Sequence, residues 1–291
     1  MINTSEPQDR IMDRTLLRSK FIKRFGSDPE TIRDIKDIEK IEQIDADERF
    51  PCQSPNEALM LASQAFPQAT AISFLPNGSV SDVPINWTYK EYQEEVYRAA
   101  NMFHSLGLRP DQSVIFLLPN VPQFLFGLWG AQLAGIAAPI NPYLEVEHIA
   151  SIAKSANAKI LVTLAPSQPG GEDLWNKAMR AKSIASDIQQ IIVIGDSQDN
   201  YSSSWDQATR AQPSDRLIFD RTISGTEIAS YFHTGGTTGA PKLAQHTHRR
   251  QVLNVCQMQI TGPRGTEKNE FADCDIILCT LPLFHVNAVF V

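Results

Sequence analysis

The sequence is poor in cysteine and lacks the spacings of a metal site. Four cysteines occur among 291 residues, with no C-x-x-C pair and no histidine partner at metal-ligand intervals. No metal site is therefore predicted. The cysteines are instead expected to be small core residues of a protein in a reducing compartment: Cys52, Cys256, Cys274 and Cys279.

Long apolar runs and an excess of positive charge are also missing. Proline, asparagine or glycine interrupts every apolar stretch well short of the roughly 20 residues that a membrane span needs, and the first residues form no apolar signal region. The net charge of -7 provides no general field for nucleic acid, so a polyanion would need a local site. A cytoplasmic protein without a transmembrane segment or a nucleic-acid partner is predicted.

The first 50 residues differ from the rest in being dense in charge of both signs. They contain a helix-start pattern at 27–30, so a solvated helical lead-in is predicted for 1–50 and a main domain for 51–291. Residues 14–25 mix basic and apolar side chains. This pattern suits a surface helix packed on the domain, and it also suits weak peripheral contact with a membrane.

From Trp87 onward, helical and strand patterns alternate. A capping box of Thr88 and Glu91 begins a helix that ends at Gly107. The alternation predicts an α/β fold with mainly parallel sheets flanked by helices. Residues 196–216 have no apolar period and are predicted to be an exposed connection. The other elements are predicted as strands 113–118, 136–140, 159–164, 190–194, 228–233 and 243–247, and as helices 121–134, 145–156, 172–185 and 248–259.

A loop rich in glycine and threonine carries the chemistry. It runs from Thr234 to Lys242 and contains Gly235, Gly236, Thr237, Thr238 and Gly239. Glycines let backbone N–H groups converge on phosphate oxygens, while the hydroxyls donate hydrogen bonds and the lysine adds a positive charge. The spacing fits neither the P-loop of nucleoside triphosphatases nor the dinucleotide fingerprint, and a surface hairpin loop seldom needs all of these residues.

The loop resembles the signature [ST]-[SG]-G-[ST]-T-G-x-P-K-G of the adenylate-forming superfamily, which includes acyl-CoA synthetases, firefly luciferase and peptide-synthetase adenylation domains. Gly235 stands where serine is commoner, and Leu243 replaces the final glycine. The resemblance covers about residues 51–291. It includes further landmarks in the family's order, namely Trp87-Thr88-Tyr89, Pro119-Asn120, the segment 134–142 and Leu281-Pro282-Leu283-Phe284-His285.

The resemblance implies an enzyme that uses ATP, Mg²⁺ and CoA to activate a carboxylic acid, such as a fatty acid, through an acyl-AMP. The loop residues Thr234 to Gly239 would bind the ATP phosphates, Lys242 would act electrostatically, and His285 would lie near the acyl pocket. His233, His246 and His248 border the loop and are interpreted as structural or phosphate-adjacent.

Later elements of the family have no counterpart in these 291 residues, which implies an incomplete large N-terminal domain. Two alternatives stay open at this point. One is an adenylating enzyme that loads a carrier protein, and the other is a non-catalytic truncated remnant. The sequence does not identify the acid, its chain length or the oligomeric state.

Overall fold

The computed structural model describes residues 34–43, 45, 47, 52–197, 202–234, 242–261 and 276–290. The chain divides into two compact units, one of residues 1–52 with 252–277 and one of residues 53–251 with 278–291. In the smaller unit, the described helices are α1 (Ile35–Glu42) and the later part of α8 (His248–Thr261). Helix α1 lies within the predicted lead-in, and the lead-in and the division into 1–50 and 51–291 stay predictions. The basic segment 14–25 and the helix start 27–30 lie outside the described residues.

The larger unit contains a small hairpin and a larger α/β layer. Helix α2 (Pro55–Ala65) precedes an antiparallel pair, β1 (Thr70–Phe74) and β2 (Ile85–Thr88). The α/β layer then follows as α3 (Tyr89–Ser105), β3 (Ser113–Phe116), α4 (Pro122–Ala134), β4 (Ile136–Pro139), α5 (Val146–Ser155), β5 (Ala158–Leu164), α6 (Gly171–Ile184), β6 (Gln190–Ile194), β7 (Ser202–Ser204), α7 (Trp205–Arg210), β8 (Ile228–His233), β9 (Leu243–Thr247), the first turn of α8, and α9 (Val286–Phe290).

Strands β3 to β9 form one sheet in the order β7-β6-β5-β3-β4-β8-β9. Its neighbours pair in parallel, except for β8 and β9, which are antiparallel. Every residue of β3 and β4 is buried, as expected for central strands covered on both faces. The predicted mainly parallel sheet with flanking helices is confirmed.

Local signals set the limits of α3. The Thr88 hydroxyl accepts the Glu91 N–H at 3.2 Å, and the Glu91 carboxylate accepts the Thr88 N–H at 2.8 Å. The predicted capping box is thus confirmed, and it satisfies N–H groups that the first helical turn leaves unpaired. Gly107 then adopts φ +84°, a conformation that favours glycine and stops the helix.

Helices α3 and α4 pack in close contact at Gly130. A Cβ at this position would lie 2.7 Å from the Cβ of Ala99 and 2.8 Å from the N of Ala100. Beside this contact, the Trp129 indole donates a hydrogen bond to the Tyr92 hydroxyl at 2.6 Å. Glycine is therefore required for the helix pair that covers one face of the central strands.

The prediction of an exposed connection at 196–216 is wrong in part. Strand β7 pairs in parallel with β6, and Trp205 of α7 is 2% exposed, with its ring 6.1 Å from that of Phe103. Downstream, the buried side chain of Asn101 donates to the carbonyls of Pro213 and Arg216 and accepts the Ile218 N–H, each at 2.9 Å. This segment is ordered by the pairing of β7 with β6, by the buried ring of Trp205 and by the hydrogen bonds of Asn101. None of these contacts produces a periodic pattern of apolar residues in the sequence.

The cysteine prediction is also corrected at one position. Cys52 and Cys256 are buried as expected, whereas Cys279 is exposed. Cys279 lies in a segment without regular secondary structure, and residues 276–281 around it are exposed as well. Cys274 lies outside the described residues. Within the described ranges, no helix combines the length and apolar character needed to cross a membrane.

Candidate functional site

The hairpin of β8 and β9 presents the ends of the glycine-rich loop. Strand β8 pairs with central strand β4 and holds β9 on its other side, with His233 opposite Leu243. The Thr234 N–H donates to the Lys242 carbonyl at 2.8 Å, which closes the hairpin. Thr234 and Lys242 are both exposed and lie opposite each other at the base of the loop.

The remaining predicted phosphate ligands, Gly235, Gly236, Thr237, Thr238 and Gly239, lie outside the described residues. Their role stays a prediction. At the loop base, the structure supplies the hydroxyl of Thr234 and the ammonium group of Lys242, which are a hydrogen-bond donor and a cation. Groups of this kind suit phosphate oxygens.

The segment that carries His285 is joined to the end of β3 by one side chain. The Asn120 Nδ2 donates to the Leu281 carbonyl at 2.8 Å, and the Leu283 N–H donates to the Asn120 Oδ1 at 2.9 Å. Leu283 and Phe284 are buried, whereas His285 is exposed. Two segments that were separate landmarks in the sequence are therefore in contact.

His233 is the last residue of β8 and lies directly before the loop. Its Nε2 accepts the Asn141 N–H at 3.0 Å. Burial lowers the pKa of His233, and the nearby His285 lowers this pKa further. Because the Asn141 amide occupies Nε2, the proton of the neutral ring must lie on Nδ1.

The carboxyl ends of parallel strands lie at one edge of a sheet, which is where α/β folds bind ligands. Asn120 follows β3, Asn141 follows β4, and His233 ends β8. Sequence reasoning gave His233 a minor role and missed the hydrogen bonds of the two asparagines. The available signal was their position at strand ends, within landmarks already recognised.

A fully buried polar group surrounds Ser230, three residues before the end of β8. The Nε2 groups of Gln132 and Gln251 donate to the Ser230 hydroxyl at 2.9 and 3.1 Å. This arrangement lies inside the protein, so it supports β8 rather than exposing reactive groups. It links β8 to α4 and to the first turn of α8.

His248 is fully buried at the start of α8. Its two ring nitrogens have no hydrogen-bond partner among the described residues. Burial, aided by the charge of Arg221 and opposed by Glu227, lowers the pKa of His248 to about 4. Arg221 and Glu227 form an ion pair of 2.8 Å. A buried neutral imidazole of this kind fits the structural interpretation.

His246 lies on β9 with its ring 5.4 Å from that of Phe232, in an edge-on contact. Burial lowers the pKa of His246, and the charge of Arg250 contributes to this shift. Within the part of the chain that the structure describes, no three His, Cys, Asp or Glu side chains form a group able to hold a metal ion.

The chain is similar in sequence to known proteins. The sequence model described as AMP-binding enzyme matches residues 61–291. The chain is 46% identical over 271 residues to marinolic acid--CoA ligase of a Pseudoalteromonas species, covering 93% of this chain and 41% of that protein. It is 28% identical to 4-coumarate:CoA ligase 1 of Petunia hybrida, covering 79% and 40%.

A solved structure shares the fold. A fatty acyl CoA synthetase of Mycobacterium tuberculosis superposes with a TM-score of 0.60 at 21% identity, covering 82% of this chain and 42% of that protein. The chain spans about two fifths of the length of these relatives. It therefore contains only part of their fold.

Proposed function

Since this chain belongs to the AMP-binding enzyme family, we propose that it is part of a ligase that activates a carboxylic acid with ATP and transfers it to CoA. The observation that carries the proposal is the meeting of three features at the carboxyl edge of one sheet. They are the loop base at Thr234 and Lys242, the neutral His233, and the segment of His285. The hydrogen-bond donors proposed to bind phosphate oxygens thus directly follow His233. The acid is assigned to the segment of His285.

The proposed reaction begins with adenylation, because a free carboxylate resists nucleophilic attack. A carboxylate oxygen forms a bond to the α-phosphorus of ATP, and the bond from this phosphorus to the pyrophosphate oxygen breaks. Thr234, the loop residues 235–239 and Lys242 would bind the β- and γ-phosphates and stabilise the charge of the leaving pyrophosphate. Mg²⁺ would neutralise phosphate charge when bound with ATP.

The second step would transfer the acyl group. The sulfur of CoA attacks the acyl carbon, the bond to AMP breaks, and the thiol proton is released, giving a thioester and AMP. His285 would contact the acid near the loop base. The names of the curated relatives, which are CoA ligases for different acids, support CoA as the acceptor.

The acid is proposed as a fatty or other organic acid. The protein of 46% identity is named for marinolic acid, so that acid belongs in the test beside fatty acids and aromatic acids. The test is ATP–pyrophosphate exchange with the protein as its gene encodes it. Exchange that depends on one acid is expected, and a folded protein with no exchange for any acid would refute the proposal.

Two experiments separate the alternatives. Product analysis with CoA and with a phosphopantetheine carrier distinguishes a CoA ligase from an enzyme that loads a carrier. The other alternative is a non-catalytic remnant. A remnant predicts a poor thermal transition for the 291-residue chain, and cooperative melting with turnover would contradict it. A cytoplasmic location and possible weak peripheral contact with membranes are part of the proposal.

A further inference from the structure

The Asn120 side chain acts like a peptide group from a neighbouring strand. Its amide donates to one backbone carbonyl and accepts from the N–H two residues later, at Leu281 and Leu283. The two partners fix the orientation of the amide, because a carbonyl can only accept and an N–H can only donate. The side chain therefore specifies one register for a backbone segment about 160 residues away.

Packing alone would not specify this register. Leu283 belongs to the hydrophobic core, and Ala288 and Val289 of α9 pack against it. Such contacts are favourable but non-directional, so small displacements of the segment would cost little. The paired hydrogen bonds of Asn120 are directional. They fix the position of the segment along its own direction, so that the N–H of Leu283 faces Asn120.

The fixed backbone leads directly to His285. The His285 N–H donates to the Pro282 carbonyl at 2.9 Å, which turns the chain between Leu283 and α9. His285 also contributes to the lowered pKa of His233, after burial. His233 is held separately by the Asn141 N–H. One asparagine thus holds the His233 ring, and another holds the backbone that leads to His285. The two asparagines follow adjacent strands, β4 and β3.

We propose that Asn120 is a positioning residue that fixes the place of His285 at the carboxyl edge of the sheet, acting through the backbone of Leu281 and Leu283. This inference rests on the proposed function for the part that concerns activity. Asn120 itself is not assigned any contact with ATP or the acid. Its effect on the reaction should therefore depend on the presence of His285.

Asn120→Asp is the main test variant because it nearly preserves the shape of the side chain. One carboxylate oxygen can still accept the Leu283 N–H, but the other faces the Leu281 carbonyl, and two acceptors repel each other. Asn120→Ala removes both hydrogen bonds. Asn86→Asp on β2 is the matched control, since Asn86 uses its Oδ1 to accept the Ser73 hydroxyl and keeps an acceptor after substitution.

The first measurement is structural and does not need activity. Amide hydrogen exchange at Leu283 should speed up about tenfold or more in Asn120→Ala, and the ring resonances of His285 should shift in both Asn120 variants. Neither change should occur in Asn86→Asp. Unchanged His285 resonances in folded Asn120→Asp would overturn the proposal, whether or not the protein proves to be a ligase.

The second measurement uses ATP–pyrophosphate exchange and a double-mutant cycle. Asn120→Asp should lower kcat/KM for the acid about tenfold, with little change in KM for ATP. In the His285→Ala background, the same substitution should have almost no further effect. An equal loss in both backgrounds would show that Asn120 acts independently of His285 and would overturn the proposal. No exchange with any acid would refute the proposed function, and the structural measurement would then decide the position of Asn120.

Discussion

Acidification from pH 6.5 to pH 4 is expected to lower the free energy of unfolding through His248. Its side chain is fully buried, and its ring nitrogens have no hydrogen-bond partner among the described residues. Burial, aided by the charge of Arg221, lowers the pKa from 6.5 to about 4 in the folded protein. The protonated form is therefore disfavoured in the folded state relative to the unfolded chain.

The sign of the pH effect follows from proton binding. Between the two pKa values the unfolded chain binds more protons at this histidine than the folded protein, so stability rises with pH. The contribution is complete above pH 6.5, declines as the pH falls towards 4, and changes little below that. The pKa of His248 differs by about 2.5 between the folded and unfolded protein. Since one pKa unit corresponds to ~1.36 kcal/mol, His248 contributes about 3 kcal/mol to the free energy of unfolding.

Urea unfolding followed by tryptophan fluorescence measures this effect, since the chain has four tryptophans. His248→Leu removes the titrating group and keeps a side chain of similar volume, so most of this loss between pH 6.5 and pH 4 should disappear. His148→Leu on the exposed face of α5 is the control and should retain the acid-sensitive loss. An equally large loss in His248→Leu would refute the reasoning, because His233 and His246, whose pKa values are also lowered, would then carry it.

Three further substitutions test the loop base and the helices. Lys242→Met should lower the rate of ATP–pyrophosphate exchange about 10- to 100-fold without changing Tm. The control Lys154→Met, on the surface of α5, should leave the rate unchanged. Equal rates in the two variants would contradict the role of Lys242. Thr88→Ala should cost about 1 kcal/mol of unfolding free energy in urea because the capping box is lost, and an unchanged midpoint would count against it. Gly130→Ala should destabilise by about 1–3 kcal/mol because its Cβ would clash with α3. Stabilisation, which helix propensity alone would give, would show that the close contact is absent.

The hairpin of β8 and β9 carries the donors of the loop base at one end and is anchored inside the protein at Ser230. Its loop end carries the donors at Thr234 and Lys242, while Ser230 within β8 is held by Gln132 and Gln251. Directional hydrogen bonds to a buried strand limit its movement. The loop base therefore projects from a strand that is fixed by its pairing with β4 and by this polar group.

Much of the fold follows from sequence signals that act over short distances. The capping box of Thr88, the positive φ at Gly107 and the limits of β6 and β9 agree with the predictions, because caps, turns and apolar periodicity depend on neighbouring residues. The family also followed from a local pattern, the loop at 234–242. The segment 202–210 was missed for the same reason, since its order comes from pairing with β6 and from contact of Trp205 with Phe103.

The sequence by itself determined the alternation of helices and strands and the presence of a glycine- and threonine-rich loop with the signature of the family, because nearby residues encode both. Only the tertiary structure decided that Asn120 holds the segment of His285 and that Asn141 fixes the proton of His233. These contacts join residues that are 92 to 163 positions apart. No local pattern specifies such pairs, since they form only when the order of the strands brings the ends of β3, β4 and β8 to one edge.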